Sequence, residues 1–567
     1  MKHLIIILIL YLVLTPLDKV AQSSRETRAV WISTNYRLDW PPPTFDEEEQ
    51  KKSLLEIFDD IESKNLNTIY LQVRSNGTTL FQSSFEPFSP YITGKVDEFG
   101  SYDPLEFAVN EAHKRGLEIH AWINTMRCFN TSDISILENE KHVSTKYPHW
   151  VYKKDEENGS ISLWLNPGIP EVRQYLIDVI DELVLDYEID GVQLDFVRYP
   201  QEPIHDTESY SVYGNGKDIN DWRRENINTF IDELSKKIKT SNPMIKLGVT
   251  PIGIYKNISN ARGLQGYYDV YQDSREWLSK GYIDYAVPQI YWDINNNPRF
   301  PDLVEDWISN SYDRNVIIGI AAYRQSIVDE LSEEINITRL KNANGTAFFR
   351  YSNIKDIDIS EYDEKVLPPK MDWIMRTDSL PGINAKISLD ENHSNKLSIE
   401  WELNSSIYKN VKYLSLYQLD DPTKKNYMKL LKVLPSNLTS TSISISDHDK
   451  VNYSYTVKSV DQLWNESNNW EVLNYEVPKL KNIEDKISKF NKPLLSKIGK
   501  QYFLIINSNQ IDQLKIVVED NEGQQNQIDL RDISLGMNML EVNSDIIEYD
   551  KISLMFTNSG RTVELRK

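Results

Sequence analysis

The stretch from Asn166 to Pro200, NPGIPEVRQYLIDVIDELVLDYEIDGVQLDFVRYP, holds one complete unit of the fold. Pro170 suits a first helical turn, and the apolar residues after it keep helical spacing as far as Tyr187. Gly191 to Val197 then reads as a short buried strand, apolar at Val192, Leu194 and Phe196 but carrying Gln193 and Asp195 between them. A helix that leads into a nearly continuous apolar strand predicts a parallel sheet covered by helices.

The alternation extends in both directions. Strand-like runs are RAVWIST (28–34), TIYLQVR (68–74), EIHAWIN (118–124), GVQLDFV (191–197), KLGVTPI (246–252), YAVPQIY (285–291), VIIGIAA (316–322) and GTAFFRY (345–351). Helical spacing predicts helices over Glu47–Ser63, Pro104–Arg115, Pro170–Tyr187, Trp222–Thr240, Tyr271–Lys280, Leu303–Asn310 and Ile327–Asn342. Gly116 and Gly281 fall just past two of these helix ends, where a left-handed residue is needed. Eight such units specify an α/β fold, a (β/α)8 TIM barrel over residues 25–377, with a doubly wound open sheet as the alternative. The interval from Thr125 to Gly168 is long for a strand-to-helix connection, and such loops carry function or their own substructure.

After Asp378 no helical stretch separates the strands. KLSIEW (396–401) puts Leu397, Ile399 and Trp401 on one face, and VKYLSLYQL and YSYTVKSVDQLWNES add further strands. This region, 380–478, resembles a fibronectin type III domain, with an early Trp strand and a late Tyr-rich one. QYFLIIN, QLKIVVED, MNMLEVN and KISLMF predict a second small β-sandwich over 493–567.

Of the 567 residues 40% are hydrophobic and 26% charged, enough for several cores. A formal charge of −22, with no compact basic patch, argues against nucleic-acid partners. Met1-Lys2-His3, the apolar run Leu4–Leu14 and a polar stretch through Ser24 have the order of a secretory signal over 1–22, cleaved near Ala21 or Gln22. An uncleaved membrane anchor is the alternative; after cleavage no permanent membrane span is expected. The single cysteine, Cys128, rules out an intramolecular disulfide.

Both faces of a barrel strand want apolar side chains, so polar exceptions need a reason. Gln72 and Arg74 share one parity, as do His120, Trp122 and Asn124, Gln193 and Asp195, and Gln289 and Tyr291. Leu71, Val73, Ala121, Ile123, Val192, Leu194, Phe196, Ala286, Pro288 and Ile290 hold the other. Turning the apolar sets toward the helices sends the polar sets into the barrel, where they converge on the C-terminal mouth that holds barrel active sites. A polar layer of the three glutamines, an Arg74–Asp195 ion pair and a satisfied interior His120 are the structural alternatives. Asp190, at the other end of the fourth strand, reads as closing the turn before it. Trp31, Trp40, Trp122, Trp164, Tyr199, Tyr255, Tyr291, Trp292 and Tyr323 supply flat faces of the kind that stack on sugars.

ETRAVWIST, LQVRSNGTTLFQSSFEPFSPYITG, YDPLEFAVNEAHKRGLEIHAWIN, the 166–200 stretch, WLSKGYIDYAVPQIYW and IGIAAY, in this order, resemble the bacterial glycosyl-hydrolase-like family ten. The resemblance covers about Arg25 to Tyr351. It implies an exported barrel glycoside hydrolase, similar to a divisome-localised enzyme that cleaves peptidoglycan glycan strands stripped of their stem peptides. It also implies a location in the periplasm, cell envelope or extracellular space. Family members commonly carry two acids where this chain has Asp195-Phe196, so the second is missing here.

Glycoside hydrolysis needs a proton donor and a second group that attacks, activates water or stabilises an oxocarbenium-like state. Asp195 is the first candidate for a catalytic carboxylate, with its role as acid, nucleophile or stabiliser left open. Glu86 and Asp293 are equal candidates for the second, with Asp273 behind them as a helix cap. For an N-acetylated sugar the substrate's own acetamide can be the attacking group. Substrate-contact candidates are Arg74, His120, Trp122, Asn124, Arg198, Tyr199, Tyr291 and Trp292. No spacing of His, Asp and Glu marks a metal site, and neither metal nor cofactor is expected. The expected partner is a polysaccharide, and the alternatives are a different extracellular polysaccharide or a non-catalytic glycan-binding scaffold.

Overall fold

A computed structural model describes residues 25–566 except 131–133, 157–160, 375–378, 391–395, 403–408, 421–427, 445–451, 477–492, 499–500, 509–511, 520–523, 534–535, 543–550 and 558–559. The expected secretory signal therefore lies outside the described residues. Among the described residues no helix is long and apolar enough to cross a membrane.

Eight parallel strands close into a barrel: β1 (Thr27–Ile32), β2 (Thr68–Ser75), β3 (Glu118–Asn124), β4 (Gly191–Asp195), β5 (Lys246–Val249), β6 (Tyr285–Ala286), β7 (Asn315–Val316 continuing as Ile318–Ile320) and β8 (Gly345–Phe348). Each pairs with the next in sequence, and β8 returns to β1 with Gly345 opposite Thr27. The outer ring includes α1 (Glu47–Ser63), α2 (Pro104–Lys114), α3 (Pro170–Asp186), α4 (Ile219–Ser241), α5 (Ser274–Ser279), α6 (Phe300–Ile308) and α7 (Leu331–Leu340). Asp103 caps α2, its carboxylate accepting from the backbone N–H groups of Leu105 and Glu106 at 2.9 and 3.0 Å. Gly116 (φ 67°) and Gly281 (φ 69°) take the left-handed positions beyond α2 and α5.

Two separate cores carry out the parity rule. Leu71, Val73, Ala121, Ile123, Val192, Leu194 and Ile290 join the helix-facing core. Trp31, Tyr70, Trp122, Tyr285, Val287, Ile317 and Ala347 form the core inside the barrel. The long interval after β3 folds into its own three-stranded antiparallel sheet, Arg127–Phe129, Ile161–Leu165 and Val151–Asp155, at the mouth.

Residues 385–476 form a seven-stranded β-sandwich of one three-stranded and one four-stranded sheet, around Leu397, Ile399, Trp401, Leu414, Leu416 and Tyr455. Contacts group this sandwich with the barrel in one compact unit. The second unit, whose described strands run from Leu494 to Arg566, holds another three-stranded and four-stranded pair of sheets, around Leu504, Ile506, Leu514 and Leu554.

The first sandwich finishes the barrel's N-terminal floor. Trp464 Nε1 donates to Glu118 Oε2 at 2.6 Å, Lys412 pairs with Asp190, and Arg25 pairs with Glu466 at 2.8 Å. Met371, Ile374 and Leu463 close the interior core from below.

Candidate active site

Asp195 ends β4 at the mouth. Its Oδ1 accepts from the backbone N–H of Phe196 at 2.7 Å, and its Oδ2 from Trp122 Nε1 at 3.2 Å. The residue is 8% exposed, which leaves a route to substrate but little water. Burial pushes its carboxyl above the ordinary aspartate range, against the pull of the Phe196 N–H, Arg127, Arg198 and the Trp122 N–H.

Three expected substrate contacts turn out to be built into the wall. Arg74 does not pair with Asp195: its guanidinium grips Glu86 through two bonds of 2.7 and 2.6 Å and also donates to the carbonyls of Asn124 and Thr125. Glu86 is fully buried and accepts a third bond from Tyr175 at 3.0 Å, so this carboxylate is committed to Arg74 and stands away from solvent. His120 sits a layer below the mouth, between Tyr285 Oη at 2.6 Å and Glu118, where Lys246 also pairs with Glu118. Tyr199 is buried and closed to substrate, with its hydroxyl accepting from Asn226 at 3.1 Å.

Other residues do gather near Asp195. Trp122 is buried and orients the carboxylate. Asn124 is the register partner of Asp195 across β3 and β4, and its buried Oδ1 has no hydrogen-bond partner among the described residues. Tyr291 is half-buried; burial and the nearby Asp195 charge push its phenol well above the usual range. Trp292 is half-buried and Tyr323 is 54% exposed, whereas Trp31, Trp40, Trp164 and Tyr255 are buried and closed to a sugar face. Asp293 accepts from Asn296 at 2.9 Å and Ser326 at 2.7 Å, and these bonds hold its carboxyl below the ordinary range. Asp273 caps α5, accepting from the Glu276 N–H at 3.3 Å and from Tyr255 Oη at 2.7 Å.

Phe196 packs against the helix-facing core as expected, but with an unexpected backbone. That backbone is left-handed (φ 53°), and Trp164 meets the ring edge-on at 5.9 Å. The Arg127 guanidinium lies 3.6 Å from its centroid and that of Arg198 5.3 Å. Arg198 also lies over Trp164, and burial brings its guanidinium down to about 10. Arg127, and the 48%-exposed Tyr36 whose hydroxyl reaches the Asn130 carbonyl at 3.2 Å, were not among the expected site residues. Spacing carried a signal for Arg127: it stands three residues beyond Asn124, as Arg198 stands three beyond Asp195, and Asn124 and Asp195 are register partners. Among the described residues no group of three or more His, Cys, Asp or Glu side chains is placed to hold a metal ion.

A family model described as glycosyl hydrolase-like 10 matches residues 26–336. The chain belongs to this family. It is 32% identical over 492 residues to the glycosyl hydrolase YngK of Bacillus subtilis, covering 81% of this chain and 95% of that one. It is 35% identical over 328 residues to the glycosyl hydrolase DigH of Escherichia coli K12, covering 53% of this chain and 74% of that one. Among solved structures, the catalytic domain of β-amylase from Paenibacillus polymyxa aligns with a TM-score of 0.40 at 16% identity, over 60% of this chain and 98% of that one.

Proposed function

We propose that the protein is an exported glycoside hydrolase that cleaves glycan strands of N-acetylated sugars, with peptidoglycan as the substrate and the cell envelope, periplasm or exterior as its place of action. The observation that carries this reading is the Asp195 carboxyl, buried at the barrel mouth, fixed by two N–H donors and held above its usual range. A carboxyl raised in this way holds a proton more readily than a free aspartate, which suits it to proton donation to a leaving oxygen. Asp293 is shifted the opposite way, and such divergence separates acid from base. Asp195 is thus the acid, and Asp293 the ionised partner that attacks or activates water.

The family and both named relatives support hydrolysis. The substrate rests on the similarity to an enzyme of peptide-stripped strands. A second reading, a glycan-binding scaffold without turnover, is favoured by the commitment of Glu86 to Arg74, which takes one carboxylate out of the pair that hydrolysis needs. We read the first sandwich as fibronectin type III-like, serving as a spacer or glycan contact.

Release of new reducing ends from purified peptide-free strands is the test. Asp195→Asn is expected to lower the rate about 10²- to 10⁴-fold. Asp293→Asn is expected to do likewise; if it retains activity, the acetamide of the substrate is the attacking group. Binding without new ends from any glycan, in wild type and Asp195→Asn alike, leaves the scaffold.

A further inference from the structure

Arg127 and Arg198 meet at the mouth from different elements. Arg127 lies in the small sheet after β3, opposite Trp164, and Arg198 in the loop after β4. Neither forms an ion pair with a described carboxylate. Arg198 spends one side-chain N–H on the Tyr199 carbonyl at 3.2 Å, and the Arg127 guanidinium has no hydrogen bond to a described residue. Asp195 and Glu156 are the carboxylates whose fields reach both groups. Asp195 is already bound by Trp122 and the Phe196 N–H, and Glu156 accepts from Ser162. Phe196, immediately after Asp195, offers a ring and no counter-charge.

Two half-buried guanidinium groups side by side repel each other and lose hydration, so they call for an anion. Aromatic faces hold them in place: Phe196 under Arg127, and Phe196 with Trp164 under Arg198. Apart from the one Arg198 bond to Tyr199, their N–H edges meet no acceptor among the described residues, in the planar fork that matches a carboxylate through two parallel bonds.

We propose that Arg127 and Arg198 form a carboxylate-binding subsite beside Asp195, so that the preferred substrate is a glycan bearing free carboxylates. This rests on the glycan-hydrolase reading and narrows it. In peptidoglycan each N-acetylmuramic residue carries a lactyl group. It is a neutral amide while a stem peptide is attached and an anion once the peptide is gone, so the pair distinguishes stripped from substituted strands by charge. Uronic-acid glycans present the same group on a different sugar.

The experiment measures binding to the full-length Asp195→Asn protein by titration calorimetry. The probes are peptide-free strands with free lactyl carboxylates, the same strands converted to methylamides, and an oligogalacturonide. Free-carboxylate strands are expected to bind at least tenfold more tightly than methylamide strands. Arg127→Gln and Arg198→Gln, checked for unchanged melting, should erase that difference, while Arg198→Lys should keep part of it through charge alone. Equal affinity for charged and neutralised strands overturns the subsite. Preference for the oligogalacturonide keeps the subsite and moves the substrate to uronic-acid glycans. Wild-type protein that cleaves charged and neutral strands equally keeps the hydrolase and removes the subsite. Charge-selective binding with no cleavage by wild type does the reverse.

Discussion

Glu334 on α7 is fully enclosed, and among the described residues neither of its carboxyl oxygens has a hydrogen-bond partner. Burial, with the Glu330 and Asp293 charges, pushes its carboxyl up to about 9, against the pull of Arg324. The folded value lies above the unfolded one, so the folded chain keeps a proton that the unfolded chain gives up. Its contribution to stability is full below the ordinary glutamate range and is lost as pH rises through about 9. Glu334→Gln is therefore expected to raise the urea midpoint at pH 8, by the equivalent of on the order of 2 kcal/mol, and to leave it unchanged at pH 4. An equal gain at both pH values would assign the effect to packing instead. Glu86 behaves differently because its charge is matched. Glu86→Gln strands the Arg74 charge in the wall and should cost about 3–5 kcal/mol in chemical denaturation, more than the double change Arg74→Met with Glu86→Leu. These depths were not legible in the sequence. Parity says which side of a strand Arg74, His120 and Asp195 occupy, but not which layer. Arg74 and His120 found partners within the wall, and Asp195 alone of the three came to the mouth.

At the scale of elements, large and small residues alternate around the lower barrel. Tyr70, His120 and Tyr285 project inward, and Gly191 and Gly248 leave the space they fill: a Cβ on Gly248 would stand 2.0 Å from the Tyr285 ring, and one on Gly191 2.5 Å from His120 Nδ1. Gly248→Ala is expected to cost about 1–3 kcal/mol, read as a lowered melting temperature, and Tyr285→Leu in the same chain should recover part of it. If Gly248→Ala melts like wild type, the layer is looser than its geometry. Eight strands and seven helices were readable because the apolar period switches between two and 3.6 each time. Strand ends were less so. YAVPQIY pairs regularly only at Tyr285–Ala286, since Pro288 has no N–H to offer a neighbour. VIIGIAA is broken at Ile317, whose side chain belongs to the interior core. At Phe196 a left-handed backbone ended the strand, a change that spacing does not encode.

For the whole molecule, the loss of helical stretches after Asp378 reads as a boundary between barrel and sandwich. The contacts place barrel and first sandwich in one unit, because side chains far apart in sequence close the floor together. Trp464 stacks on Tyr413 with centroids 5.1 Å apart and donates to Glu118, whose carboxyl is buried yet held at about 2, chiefly by Lys246 and His120. Trp464→Phe keeps an aromatic ring, smaller than the indole, and removes the N–H, so it should destabilise by about 1–3 kcal/mol. Calorimetry should show barrel and first sandwich melting in a single transition; two resolved transitions would refute their coupling.

The floor bond also sets an order of events during synthesis. Glu118 and Trp464 are 346 residues apart, and β8, the last strand of the barrel, ends at Phe348. A ribosome that has released the whole barrel has therefore not yet made the residue that caps its floor. Until the sandwich emerges, Glu118 lacks the Trp464 N–H and Asp190 lacks Lys412, so the final closure of the barrel floor waits on translation of the sandwich.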